Sequence, residues 1–176
     1  MNTDIPPPFY SLPEWPAEPP PVDPAGTSYV VVAIGGHART REVARAWVEE
    51  AEAAAPTVLA VLDSMSADTD RATFGEVLAA ARTGCRLLLV GGQYDVLTAS
   101  TAAHDAGALP GEIAAFVVDT GDAPIHCAHC RAPHRVAGGP GDEVTCPGCG
   151  RLLEIHPHLA WSLGCFLASD AHAMTL

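Results

Sequence analysis

Between Ser28 and Val118 the chain alternates short apolar runs with longer stretches of mixed character. Tyr29–Ile34, Val58–Leu62, Arg86–Val90 and Ile113–Val118 are apolar at consecutive rather than alternate positions, the pattern of strands buried on both faces. Gly35-Gly36 and Gly91-Gly92 close the first and the third run. The stretches between them predict helices. One covers Arg41–Ala55, with Thr40 as its cap and Pro56 beyond its end. A second opens at the capping-box spacing Thr73…Glu76 and ends at Gly84. A third runs from Gln93 to Ala106 and stops at Gly107. This alternation predicts a small, mostly parallel α/β sheet with right-handed crossovers over residues 27–122. Its expected core includes Val30, Val32, Leu59, Val61, Leu87, Leu89 and Val117.

The flanks read differently. Residues 1–26 hold nine of the sixteen prolines, so they predict an extended, polyproline-like arm with neither helix nor ladder. Phe9, Tyr10, Leu12 and Trp15 stud that arm as anchors for a surface, its own or a partner's. Gly121–Pro124 is the expected linker to a module over residues 123–157. Its hairpin strands are expected near His134–Val136, Val144–Thr145 and Leu152–Ile155. From residue 158 to 176 an apolar tail carries Leu159, Trp161, Leu163, Phe166 and Leu167, to be packed on the body or on a neighbouring subunit.

The module contains two CxxC pairs, Cys127/Cys130 and Cys146/Cys149, with fifteen residues between them. A tight turn in each pair aims two sulfurs at one ion, and the hairpin between brings the pairs together. Four thiolates suit tetrahedral zinc or a rubredoxin-like iron, both closed sites with no position for substrate. Zinc is favoured because Arg131, not glycine, follows the first pair. His126, His129, His134, His156 and His158 are expected outside the ligand shell, since four cysteines fill it. Cys85 and Cys165 lie among apolar residues and read as small buried side chains.

Charge limits the partners. The chain carries 9 Lys+Arg against 21 Asp+Glu, a formal net charge of −12, and every cation is an arginine. From Ala123 onward there are three arginines and four carboxylates, which argues against nucleic acid, whose phosphates need a basic footprint. No apolar run is long enough to span a membrane and no signal peptide is readable, so a cytoplasmic protein is expected. Glycines at strand ends are where an α/β sheet takes a ligand, which makes Gly35, Gly36, Arg39, Gly91 and Gly92 candidates for a nucleotide. The third glycine of a dinucleotide fingerprint is missing, with His37-Ala38-Arg39 in its place. Asp63 with Asp68, or Asp95 with His104, could be paired as acid and base, but their spacing does not single them out from solvated surface. No catalytic residue is assigned.

The cysteine knuckles and their surroundings resemble a known family. His126-Cys127-Ala128-His129-Cys130, Val144 through Leu152 and Gly164-Cys165-Phe166-Leu167 resemble the DmmA-type subunit of dimethylamine monooxygenase. Arg86–Gly91, Ala106-Gly107-Ala108 and Glu112-Ile113 are similar to its truncated, ferredoxin-reductase-like half-domain. The resemblance implies a non-catalytic, zinc-stabilised subunit of a hetero-oligomeric oxygenase. That complex oxidatively N-demethylates a secondary amine with O2 and NADPH, giving a primary amine and formaldehyde. Haem, FMN and a [2Fe–2S] centre are then expected on partners only, a haem-containing subunit and an FMN/iron–sulfur reductase subunit. The chain departs from the family at Trp161-Ser162, where a basic pair is usual. The alternative is a stand-alone NAD(P)H-binding, reductase-like electron carrier with a rubredoxin-like iron.

Overall fold

The computed structural model describes residues 11–172. The four apolar runs form strands β1 (Ser28–Ile34), β2 (Thr57–Leu62), β3 (Cys85–Gly92) and β4 (Ile113–Asp119). They pair in parallel in the order β2-β1-β3-β4. The connections are helices α1 (Ala38–Glu52), α2 (Asp68–Ala80) and α3 (Gln93–Asp105). Val43, Ala44, Trp47 and Ala51 of α1 join one core with Tyr29, Val31, Leu88, Val90 and Phe116. On the other face, Phe74 of α2 and Ala99 and Ala103 of α3 close over Val30, Val32, Leu87 and Leu89. Helices therefore cover both faces, as an all-parallel sheet requires.

Two helix starts differ from expectation. α1 begins three residues earlier, capped by His37, whose Nδ1 accepts from the Arg39 amide at 3.1 Å. Thr40 is instead fully buried in the first turn. α2 begins at Asp68 rather than Thr73. Its first turn supplies Asp70, whose carboxylate accepts from the Asp63 and Ser64 amides, both at 2.8 Å. Those two bonds bind the preceding loop to the helix start, and acidic side chains are favoured there. Thr73 lies one turn in, donating to the Thr69 carbonyl at 3.0 Å.

The expected core is also corrected at β2. Leu59 is 48% and Val61 69% exposed, whereas Ala60 and Leu62 are buried. β2 is an edge strand, and the core under α1 contains no β2 residue.

Beyond β4 a second sheet forms from β5 (Asp122–Cys127), β6 (Pro133–Ala137), β7 (Glu143–Thr145), β8 (Leu152–Ala160) and β9 (Cys165–Asp170), in the order β6-β5-β9-β8-β7. The stretch expected as a linker, Gly121–Pro124, is mostly β5. The stretch expected as an apolar tail provides the end of β8 and all of β9, the middle strand. β9 pairs parallel to β5 and antiparallel to β8. Phe166 is 1% exposed within this sheet's core, while Trp161 and Leu163 stay exposed at 60% and 49%. The three do not form one patch, because only Phe166 lies in β9 and the others sit in the turn before it.

α3 is shared. Its Ala99 and Ala103 face the first sheet, and its Leu97 belongs to the core of the second. Gly164, in the β8–β9 turn, lies so close to α3 that a Cβ there would collide with Thr101. The two sheets are further tied by Arg135 of β6. Its guanidinium pairs with Asp122 at 2.6 Å, donates to Ser64 Oγ at 3.0 Å and lies 4.8 Å from the Tyr94 ring centroid. Buried Asp95 continues that junction, its Oδ1 accepting from Ser64 Oγ at 2.9 Å and the Met65 amide at 2.7 Å.

Candidate metal centre

The two CxxC pairs form turns with the same hydrogen bonds. In the first, the Cys127 amide donates to Ala132 and the Arg131 amide donates back to Cys127, at 3.1 and 2.8 Å. In the second, the Cys146 amide donates to Arg151 and the Gly150 amide to Cys146, at 2.8 and 2.9 Å. Each turn exits through a left-handed residue, Arg131 at φ 57° and Gly150 at φ 72°. Arginine thus adopts the conformation glycine adopts next door, so residue type at 131 does not separate zinc from iron.

The four sulfurs lie within 4.8 Å of one another. Cys127–Cys149 and Cys130–Cys146 are each separated by 3.8 Å. Sulfurs tetrahedrally placed ~2.3 Å from one ion are ~3.8 Å apart, and a disulfide needs ~2.05 Å, so the spacing fits a metal. Cys127 and Cys146 are buried and Cys130 and Cys149 half-buried. All four positions of a tetrahedral shell are supplied by the chain, which leaves none for a substrate.

Three of these thiols are shifted in different directions. Burial raises Cys146, but the Cys149 and Gly148 amides and neighbouring thiols outweigh it and bring the thiol down to about 7. Desolvation and the adjacent Cys127 and Cys146 sulfurs push Cys130 up to about 12. The Arg151 amide lowers Cys149, yet burial and the Cys146 and Cys127 sulfurs outweigh it, and this thiol rises too. A cation held there would stabilise every thiolate at once, with release of protons.

His134 stands directly behind this shell. Its Nε2 is 3.2 Å from Cys130 Sγ. Its ring lies against Gly148, where a Cβ would come within 2.5 Å of Cε1, so the second knuckle needs glycine there. The other histidines lie outside the four-sulfur group: His156 Nε2 meets Ser169 Oγ at 2.7 Å, and His129 and His158 are exposed. Cys165 is buried beside α3 and desolvation lifts its thiol to about 11, as expected of an inert side chain.

The glycines at the strand ends sit where the sheet reverses its winding, between β1 and β3. Gly91 is required by packing, because a Cβ would lie 2.8 Å from the Ile34 carbonyl oxygen. Gly35 has φ 91° and Gly36 has open space around it, while Gly92 precedes the first residue of α3. The arm ties both helix starts flanking this crevice. Trp15 Nε1 donates to Gln93 of α3 at 2.9 Å, and Glu18 pairs with Arg39 of α1 at 3.1 Å. Farther along, Trp47 Nε1 donates to the Pro20 carbonyl at 2.9 Å, Val22 is buried, and Asp23 pairs with Arg86 at 2.6 Å. From residue 11 to 26 the arm is thus a strap on its own chain. Its Leu12 is exposed, and Phe9 and Tyr10 lie outside the described residues.

The suggested acid–base pairs do not assemble. Asp95 is spent on the loop before α2, and His104, nine residues along α3, meets the Ala108 carbonyl at 2.9 Å. Asp68 pairs with Arg71, whereas Asp63 is exposed. Glu18, Gln93, Ser64 and Arg135 were not singled out from the sequence. No periodicity or spacing marks them, since each finds its partner only in the folded chain.

Comparison with known proteins adds three findings. Residues 124–168 match the family described as dimethylamine monooxygenase subunit DmmA-like, C-terminal domain. The chain is 29% identical over 166 residues to the heme-dependent oxidative N-demethylase delta subunit of Ectopseudomonas mendocina (strain ymp), covering 93% of this chain and 90% of that one. Together these bear out the resemblance to a DmmA-type subunit. A solved phthalate dioxygenase reductase, a modular structure for electron transfer from pyridine nucleotides to [2Fe–2S], aligns at TM-score 0.40 and 15% identity. That alignment covers 68% of this chain, which spans 46% of the reductase.

Proposed function

We propose that this chain is a non-catalytic, zinc-holding subunit of a cytoplasmic, multicomponent oxygenase acting on a secondary amine such as dimethylamine. The observation that carries the non-catalytic part is the strap: Trp15 and Glu18 engage both helix starts at the crevice where a nucleotide would enter. The four-cysteine site is closed as well, so Cys127, Cys130, Cys146 and Cys149 would hold zinc as a structural ion. The likeness to an oxidative N-demethylase subunit supports the oxygenase part. In this reading haem, FMN and [2Fe–2S] belong to partner subunits, and this chain supplies a docking body. Trp161 and Leu163, exposed in the turn beside the second sheet, are its proposed contact with them.

The competing reading, an NAD(P)H-binding carrier with a rubredoxin-like iron, requires Gly35, Gly36, Arg39, Gly91 and Gly92 to receive a nucleotide after Trp15–Glu18 lifts away. Purified chain should contain one zinc, be colourless, and oxidise no NADPH. Added to the haem and flavin/iron–sulfur partners, it should restore amine-dependent formaldehyde release. A red protein with one iron, or NADPH oxidation by the chain alone, would replace this reading with the other.

A further inference from the structure

Parallel registration puts Thr57, Leu59 and Val61 of β2 beside Tyr29, Val31 and Ala33 of β1, on the face that α1 covers. Tyr29, Val31 and Ala33 are buried there, yet Leu59 and Val61 stand 48% and 69% exposed. Among the described residues, β2 has one neighbour, β1, so its other edge offers free N–H and C=O groups. The strand, Thr-Val-Leu-Ala-Val-Leu, carries none of the charges or prolines that usually guard such an edge. Both ends of the described chain lie away from it, on the second sheet: Ser11 bridges His158, and the Ala171 amide donates to Leu152.

The helix over this face has an unusual charge order. α1 buries Thr40, Val43, Ala44, Trp47 and Ala51. One of its flanks meets the arm and β4, with Glu50 accepting from Val22 and Arg39 lying over Phe116. By helical spacing, Arg41, Arg45, Val48 and Glu52 form the opposite flank, toward the bare edge. On this flank Arg41 and Arg45 lie in the first half and Glu52 in the last, beside Glu49 and Glu50; Glu42 lies off it, paired with Arg39, and neither end of the helix carries the charge that suits its dipole. Among the described residues, Arg45, Glu49 and Glu52 form no ion pair.

We propose that this edge pairs with a second copy of the chain, β2 against β2 in antiparallel fashion about a two-fold axis. The two four-stranded sheets become one of eight strands, and Leu59 and Val61 of both copies meet under the two α1 helices. A two-fold makes those helices antiparallel, so the arginine half of each lies along the glutamate half of the other. Self-complementarity of this kind is what an isologous interface needs, and backbone pairing at an open edge is an established way to join chains. The inference is independent of the oxygenase reading, since it uses no residue assigned to the metal or to partner docking.

Sedimentation of the full, metal-loaded chain across about 1–100 µM tests it. The chain should pass to twice its 18.2 kDa mass. Val61→Lys and Leu59→Lys should remain monomeric with unchanged circular dichroism, because both side chains are already exposed. Leu109→Lys, at an exposed apolar site elsewhere, should associate like the parent. Arg45→Glu and Glu52→Arg should each weaken self-association by about tenfold, whereas their equimolar mixture should associate as a heterodimer. A parent monomeric throughout, an unchanged mass for Val61→Lys, loss of association in Leu109→Lys, or no recovery on mixing would overturn the proposal.

Discussion

The two sheets reach stability by different means. The first buries Tyr29, Val31, Trp47, Leu88, Leu89, Phe74 and Met65 in two cores, one on either face. The second has a single core, and two of the residues in that core are Cys127 and Cys146 of the four-cysteine cluster. Its β7 has only three residues, held on one side by β8. A sheet with layers of apolar side chains stands on area removed from water. In the reading proposed above, the second would stand on its ion as well, because metal-binding free energy becomes folding free energy. That reading makes the first unit insensitive to metal supply and the second governed by it.

The strongest challenge to that contrast is loss of the ion. Cys146→Ser, or chelation, should expose the amides of β5 to β9 to hydrogen exchange while those of β1 and β3 stay protected. Structural zinc in small domains contributes about 10–16 kcal/mol at neutral pH, so this is the largest effect expected. The ligands must be deprotonated to bind, so affinity falls as pH is lowered. Equal loss of protection in both sheets would mean that α3 makes them one cooperative unit.

The reciprocal test is Trp47→Ala. Trp47 is 2% exposed and holds the strap through the Pro20 carbonyl. Its removal should cost about 3–5 kcal/mol in denaturant unfolding, with one metal per chain retained. Metal loss together with lower stability would show that the second sheet leans on the first.

The sequence made the first sheet readable because each strand is a continuous apolar run ended by glycine or an acid, a pattern that stands alone. It could not show that β2 lies at an edge, since Val58–Leu62 is as apolar as its neighbours and only pairing order exposes Leu59 and Val61. The cysteines were readable because ligand spacing is set by local turn geometry. β9 was not, because Cys165–Asp170 becomes a strand only between β5 and β8, both distant in sequence. The strap was hidden for a related reason. Proline excludes helix and ladder, but it does not say where an extended segment will lie. Thr73 misled because its spacing to Glu76 fits a cap, whereas Asp70 has amides to hold and Thr73 does not.

The smallest expected effect sharpens the comparison within the metal unit itself. Arg131 and Gly150 occupy equivalent left-handed positions, and a side chain there costs roughly 1–2 kcal/mol, part of which glycine returns by loosening the unfolded chain. Arg131→Gly should therefore stabilise the metal unit by about 0.5–1 kcal/mol, seen as slower metal release to a chelator. Faster release would show that the arginine makes contacts worth more than its backbone strain.

The course of the strap sets an order of events during synthesis. Ser11 finds its partner at His158, and Trp15 packs on a core that includes Phe166. The strap is thus made long before it can settle, since its seat comes from β8 and β9, which follow it late in the chain. Until then the helix starts of α1 and α3 stand uncovered. Closure of so long a loop is a slow, non-local step, and it follows β8 and β9 and hence the second sheet. A seated strap is therefore a mark that the second sheet has formed, displayed on the outside of the molecule.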